Sequence, residues 1–257
     1  MICKTVRYNR ALDELKKILT RHPLSDQQSR EANMQCSRLR AAKEMAKCLD
    51  AEFGKKPEFL VFNNLEFEIQ DSIVQIDHLV LSRWSVCFID TKHASQKINI
   101  NIEGQWSRVY GKGKEFDNFD SPLELSSKNQ TLLQELLAET QPDQLTDTQH
   151  LIAISTDASV RGKGTKDIAL HICDTAQTPA KILDHHQALR KDPTTRPSIS
   201  HQQLNAYRKR ILSADKSQPP MAQVSKFIES LIQKNQETQE TQETQETQET
   251  KDRKSVV

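Results

Sequence analysis

Two apolar runs, Ile73–Leu81 and Val86–Ile89, are separated by only Ser82-Arg83-Trp84-Ser85, and few folds accommodate both. Ile76, Leu79, Val80 and Leu81 in the first run, and Val86, Cys87, Phe88 and Ile89 in the second, leave neither with a polar face. Strands that are apolar on both sides belong in a sheet covered on both sides. The short polar link can turn, so the runs pair as an antiparallel hairpin.

Charged side chains nevertheless stand in these strands. The first carries Gln75-Ile76-Asp77-His78, and the second runs into Asp90-Thr91-Lys92. Side chains alternate along a strand, so Gln75 and Asp77 share a face, as do Asp90 and Lys92, with Thr91 opposed. One hairpin register sets Asp77 beside Asp90, with Lys92 just beyond. Burying such groups costs several kcal/mol each unless they are paired or metal-bound, and adjacent carboxylates repel. A divalent cation relieves both problems. Mg²⁺ takes a few carboxylates and keeps water in its other positions; it acidifies that water and steadies charge on a phosphoryl oxygen. Asp77, Asp90 and Lys92 are therefore the candidate catalytic group, with Asp77 and Asp90 as metal ligands and Lys92 serving the attacking water. His78, opposed to Asp77, reads as a satisfied core or interface histidine.

The flanking segments are read by periodicity and breakers. Leu12, Leu15, Ile18 and Leu19 predict a short amphipathic helix over 9–20, ended by His22-Pro23. A second helix runs from Ser25 or Asp26 towards Phe53 and stops at Gly54. Phe59–Phe62 and Leu65–Ile69 are expected as strands with a bend at Asn63-Asn64. Further strands are expected at Ile98–Ile102, Trp106–Tyr110, Leu151–Ser155 and Ile168–Ile172, with a turn at Glu103-Gly104 and a helix from Ser121-Pro122 to about Ala138. Helices follow around 180–191, 200–214 and 221–234, separated by Asp192-Pro193, Arg196-Pro197 and Pro219-Pro220. The five Gln-Glu-Thr copies over 236–250 offer no apolar face and are expected to stay unpacked.

The segment QIDHLVLSRWSVCFIDTK resembles the nuclease-related (NERD) branch of the PD-(D/E)XK superfamily, in which a QIDH strand precedes one ending in (D/E)xK. EFLVFNNLEF, INIEGQW and Ser121-Pro122-Leu123-Glu124 resemble the neighbouring family segments, over roughly residues 40–137. The resemblance implies that Asp77 and Asp90 bind the metal, that Lys92 serves the water, and that a glutamate comes from the preceding helix. Glu44 in AAKEMAKCLD is the candidate, although Ala41-Ala42 stands where the family has Gly-Glu nearby, and Glu31 and Glu52 are alternatives. Leu125 and Asn129 also replace the Gln and His usual in the later helix.

The expected fold is α/β: a restriction-endonuclease-like mixed sheet flanked by helices. The expected division is an N-terminal helix (1–24), the core (25–178), a helical extension (179–235) and the repeat tail (236–257). The expected activity is Mg²⁺-dependent hydrolysis of nucleic acid, DNA ahead of RNA, with Mn²⁺ able to substitute. Alternatives are a non-cleaving nucleic-acid-binding module of the same fold, or a protein-interaction scaffold. Gln75, Arg108, Lys112 and Lys114 are candidate substrate contacts, the last three with Trp106 and Tyr110 in an aromatic-basic hairpin suited to stacking bases.

Other features favour plainer readings. Lys and Arg between Arg7 and Lys56 read as a solvated face. Arg161-Gly162-Lys163-Gly164-Thr165 lacks Walker spacing and reads as a hairpin loop. The adjacent His185 and His186 project about 100° apart on a helix and rarely share one ion. Lys plus Arg (36) nearly balances Asp plus Glu (35), so net charge excludes neither nucleic acid nor its absence. Five scattered cysteines without a CxxC pair suggest reduced thiols and a cytoplasmic setting. No apolar run reaches the ~18–20 residues that span a bilayer.

Overall fold

The computed structural model describes residues 1–21, 24–69, 72–92, 97–110, 115–138, 147–155, 160–163 and 166–233. His22-Pro23, Lys112, Lys114 and the Gln-Glu-Thr tail lie outside the described residues. Chain order is β1 (Ile2–Lys4), α1 (Asn9–Arg21), α2 (Asp26–Phe53), β2 (Leu60–Ile69), β3 (Ser72–Leu81), β4 (Val86–Lys92), β5 (Lys97–Ile100), β6 (Trp106–Tyr110) and β7 (Glu115–Phe119). Then come α3 (Pro122–Ala138), β8 (Thr148–Ile154), β9 (Val160–Lys163), α4 (Lys166–His171), β10 (Ile172–Asp174), α5 (Thr178–Lys191) and α6 (His201–Ala214). A last helix, α7, covers 220–233.

The chain forms two compact units, one of Met1–Val6 with Ser37–Gln218 and one of Arg7–Cys36 with the described residues from Pro219 onward. In the second, Ala11, Leu12, Leu15, Ala32, Val224 and Leu231 are buried, so α1 hides the stripe its spacing predicts.

The first unit is built on a six-stranded mixed sheet in the order β1-β2-β3-β4-β8-β10. The β2–β3–β4 meander is antiparallel, while β1, β8 and β10 join in parallel. The expected two-sided cover is present. On one face Leu60, Phe62, Leu79, Leu81, Val86 and Phe88 pack with Leu133, Leu136 and Leu137 of α3 and Leu204, Tyr207 and Ile211 of α6. On the other, Val61, Val80, Cys87 and Ile89 pack with Met45, Leu49 and Phe53 of α2 and Ile182 of α5.

A second sheet, β7-β6-β5-β9, lies against the first through Ile98, Ile100 and Trp106, which meet Ile152 and Ile154. Its β5–β6 turn comes at Gly104, as expected, with φ of 81°.

Three expectations fail. Arg161-Gly162-Lys163, expected within a hairpin loop, belongs to strand β9, which pairs in parallel with β5. Asn63-Asn64 does not separate two strands; β2 runs unbroken through the pair, because Asn64 takes φ of 53° within the strand. The strand expected at Ile168–Ile172 is instead the end of α4 followed by β10. Only one side of that segment is sheltered, since Ile168 packs inward while Leu170 is 68% exposed. Apolar content alone cannot distinguish so short a helix from a strand.

Beyond Phe62, the outer edge of β2 is followed by the segment after α6. Lys216 N–H donates to the Glu66 carbonyl at 2.8 Å, and Glu66 N–H donates to Asp215 Oδ1 at 3.1 Å. Asp215 also pairs with the half-buried Lys4 at 2.5 Å, and accepts from Ser217 N–H. Removing one partner of a sheltered ion pair strands the other, at a cost of about 3 kcal/mol. Asp215→Ala is expected to lose that much in urea unfolding at pH 7, and Lys4→Met/Asp215→Ala less than Asp215→Ala alone. A change below about 0.5 kcal/mol in the single variant would show the strap to be idle.

Candidate functional site

The site forms where β3 and β4 part. Their ladder runs from Leu81↔Val86 to His78↔Ile89 and stops. Asp77 on β3 and Asp90 on β4 are the first residues beyond that last pair, where the two strands have parted. Here β4 continues beside β8 alone, with Asp90, Thr91 and Lys92 matched to Ile152, Ala153 and Ile154. Asp90 and Lys92 therefore share a face with Ile152 and Ile154, and Thr91 has the other.

Asp77 fills the opening. Its Oδ2 accepts the Thr91 N–H at 3.0 Å and the Thr91 hydroxyl at 2.8 Å. A side chain thus supplies what the strand no longer does. Asp90 Oδ1 lies 2.9 Å from Lys92 Nζ, with the two side chains 19% and 29% exposed. The pair is thus sheltered yet open to solvent, as a ligand-exchanging site must be.

The two carboxyls titrate in opposite directions. Burial pushes Asp77 up, but the charges of Arg38 and Lys92, together with the Thr91 amide, hold it below its ordinary 3.8. Burial and the Asp77 charge raise Asp90 to about 6 against the opposing pull of Lys92. A carboxylate held this high is poorly neutralised by its protein neighbours, which suits it to a cation. The two acids fit Mg²⁺, which needs only one or two protein carboxylates and fills its octahedron with water or substrate oxygens.

The structure does not bring Glu44 to this pair. Glu44 is half-buried and lies near Cys48, whose thiol it helps to raise after burial itself. Among the described residues, no three His, Cys, Asp or Glu side chains converge as a metal site. The α2 charge that reaches Asp77 and Asp90 is that of Arg38. The polar first half of α2 gives no pattern that singles it out.

Gln75 is exposed and takes part in a short chain: Arg38 Nη2 donates to its Oε1 at 3.5 Å, and its Nε2 donates to Glu66 at 3.0 Å. Its backbone carbonyl accepts from Asn129 Nδ2 of α3 at 2.8 Å. Asn129, one of the two family departures in α3, thereby ties that helix to β3 just before Asp77. Arg108 stacks on Phe119, 4.8 Å from the ring centre.

His78 is fully buried, as a core histidine should be, but half satisfied. Its Nδ1 lies 2.6 Å from Asn63 Oδ1, and among the described residues its Nε2 has no hydrogen-bond partner. Burial lowers its pKa to about 4. His185 pairs with Asp147, while His186 packs against Phe59. Thr91 and Arg38 escaped the sequence reading; the alternation that set Thr91 opposite Asp90 was the signal for the first.

Acid stability separates these groups. Asp90 has a raised folded-state pKa, so its contribution is full below about 3.8 and is lost as pH rises through about 6. His78 is depressed, so its contribution is full above about 6.5 and is lost as pH falls through about 4. The two oppose each other in the wild-type protein. In metal-free buffer, Asp90→Asn should be more stable than wild type at pH 8, by on the order of 2–3 kcal/mol, and should lose that advantage by pH 4. A pH-independent difference in denaturation midpoints would contradict the assignment.

Residues 37–155 match the family model described as the nuclease-related domain (NERD). No curated protein and no solved structure matches the chain.

Proposed function

From the nuclease-related domain that the chain carries at residues 37–155, we propose a metal-dependent phosphodiesterase acting on nucleic acid, DNA ahead of RNA. The observation that supports this best is the opening between β3 and β4. There Asp77, fixed by Thr91, comes one residue beyond the last β3–β4 pair, within electrostatic reach of Asp90, which is paired to Lys92.

Asp77 and Asp90 would hold Mg²⁺, or Mn²⁺ in its place. When bound, the ion supplies acidity to water and neutralises charge growing on the phosphoryl group. Lys92, whose ammonium lies 2.9 Å from Asp90, would hold the attacking water by hydrogen bonding and shield the developing negative charge. Thr91 keeps the Asp77 carboxylate from swinging, and fixed donors spend no reorganisation during the reaction. Arg38 adds a second positive group on the α2 side, suited to a phosphate next to the one cleaved. Five scattered cysteines without a CxxC pair are consistent with a reducing, cytoplasmic setting, and no helix among the described residues is long and apolar enough to cross a membrane.

A specific observation favours a second reading. Glu44 lies by Cys48, and no third acidic group joins Asp77 and Asp90 among the described residues. A nucleic-acid-binding module that cleaves weakly or not at all fits that pattern.

Cleavage assays decide between the two. Mg²⁺-dependent cutting that EDTA abolishes, and that Asp77→Ala and Lys92→Ala each reduce by about 10²–10⁴-fold with the fold intact, is the expected result. Salt-sensitive binding without cutting would leave the binding module. Cutting that persists unchanged in both variants would remove the site assignment.

A further inference from the structure

We propose that Asn64 is a positioning residue for Asp77: its left-handed backbone inverts the sidedness of β2 and β3 together and so aims the Asp77 carboxylate at β4. This deepens the proposed function, and rests on it only for the consequence at the metal.

The inversion is visible in which residues share a core. On β2, Leu60 and Phe62 lie on the α3–α6 face, and the next residues on that face are Leu65 and Phe67, after a step of three rather than two. On β3 the same face takes Val74 and Ile76, then Leu79 and Leu81, again after a step of three. The register does not slip meanwhile: Phe62↔Leu79 and Asn63↔His78 before Asn64, and Leu65↔Ile76 after it, keep one offset. Both strands therefore change face at the same level, and that level is Asn64 opposite Asp77.

Unbroken alternation back from Leu79 would send Asp77 into the Leu133–Leu137 core. It escapes because Asn64 adopts φ of 53°, and among the described residues no other non-glycine has a positive φ. Asn tolerates that region better than other side-chain-bearing residues, because its short amide bonds locally. Its surroundings hold it there. Its carbonyl accepts from Lys4 Nζ, its Nδ2 donates to the Gln218 carbonyl at 3.3 Å, and Asn63 Nδ2 donates to the Lys4 carbonyl at 3.0 Å. Lys4 is in turn fixed by Asp215. Asp77 then lies level with β4 and takes both donors of Thr91.

The test follows amide hydrogen exchange by NMR in the full chain, with calorimetric Mn²⁺ titration alongside. Asn64→Gly and Asn64→Asp, which allow a positive φ, should keep Thr91 protection and Mn²⁺ affinity within about two-fold of wild type. Asn64→Val, which disfavours it, should lower Thr91 protection and Mn²⁺ affinity about ten-fold, with the amides of 79–81 and 86–88 unchanged. Where Asn64→Val unfolds, Asn64→Ala provides the same comparison at smaller amplitude.

In an Asp77→Ala background Asn64→Val should add nothing at Thr91, because the acceptor is already gone. Wild-type protection in Asn64→Val, equal losses in the Gly and Val variants, or an undiminished Val effect without Asp77 would each overturn the proposal. A wild-type chain that neither binds Mn²⁺ nor cleaves would sink the nuclease reading alone, and Thr91 exchange would still decide the role of Asn64.

Discussion

One hydrogen-bonding exchange organises this site. Where β3 and β4 diverge, the amide of Thr91 loses a strand partner, and a buried unpaired amide is costly. Asp77 meets that need with a carboxylate oxygen, and the Thr91 hydroxyl completes the grip. The bond that seals the end of the ladder is therefore the bond that orients the acid. The same two residues close the strand end and place the carboxylate.

The electrostatics follow from that placement. Asp77, with its charge already satisfied by Thr91 and faced by Arg38 and Lys92, stays ionised. Asp90 is left with Lys92 and an anionic neighbour and is raised to about 6. Two like groups are thus pushed apart: one is held as an anion by its donors, while the other stays close to the neutral range.

Much of this was legible from residue order, and the rest fails for identifiable reasons. The apolar runs predicted a doubly covered sheet because burial on both faces leaves no polar side to write. The Asp77–Asp90–Lys92 grouping followed from period-two alternation and a four-residue link. The change of face at Asn64 was illegible because it occurs in two strands at once and cancels in the register; the asparagine pair read instead as a bend. The helical charge that reaches the two acids belongs to Arg38, which no pattern in the polar first half of α2 singles out. The α4 segment was misread because four apolar or small residues fit either periodicity. β1 pairs in parallel with a strand some sixty residues away, a partnership no local pattern announces.

The strap of Asp215–Gln218 along β2 bears on modularity. The family-matched stretch ends at residue 155, yet the cover for one sheet face comes from α6, and the edge of β2 beside Asn64 is closed by residues beyond it. An excised 37–155 fragment would present a raw strand edge and an uncovered apolar surface, both templates for aggregation. The nuclease-related segment is thus not an exchangeable cassette in this chain, because residues beyond it cover one face of its sheet and close the edge of β2.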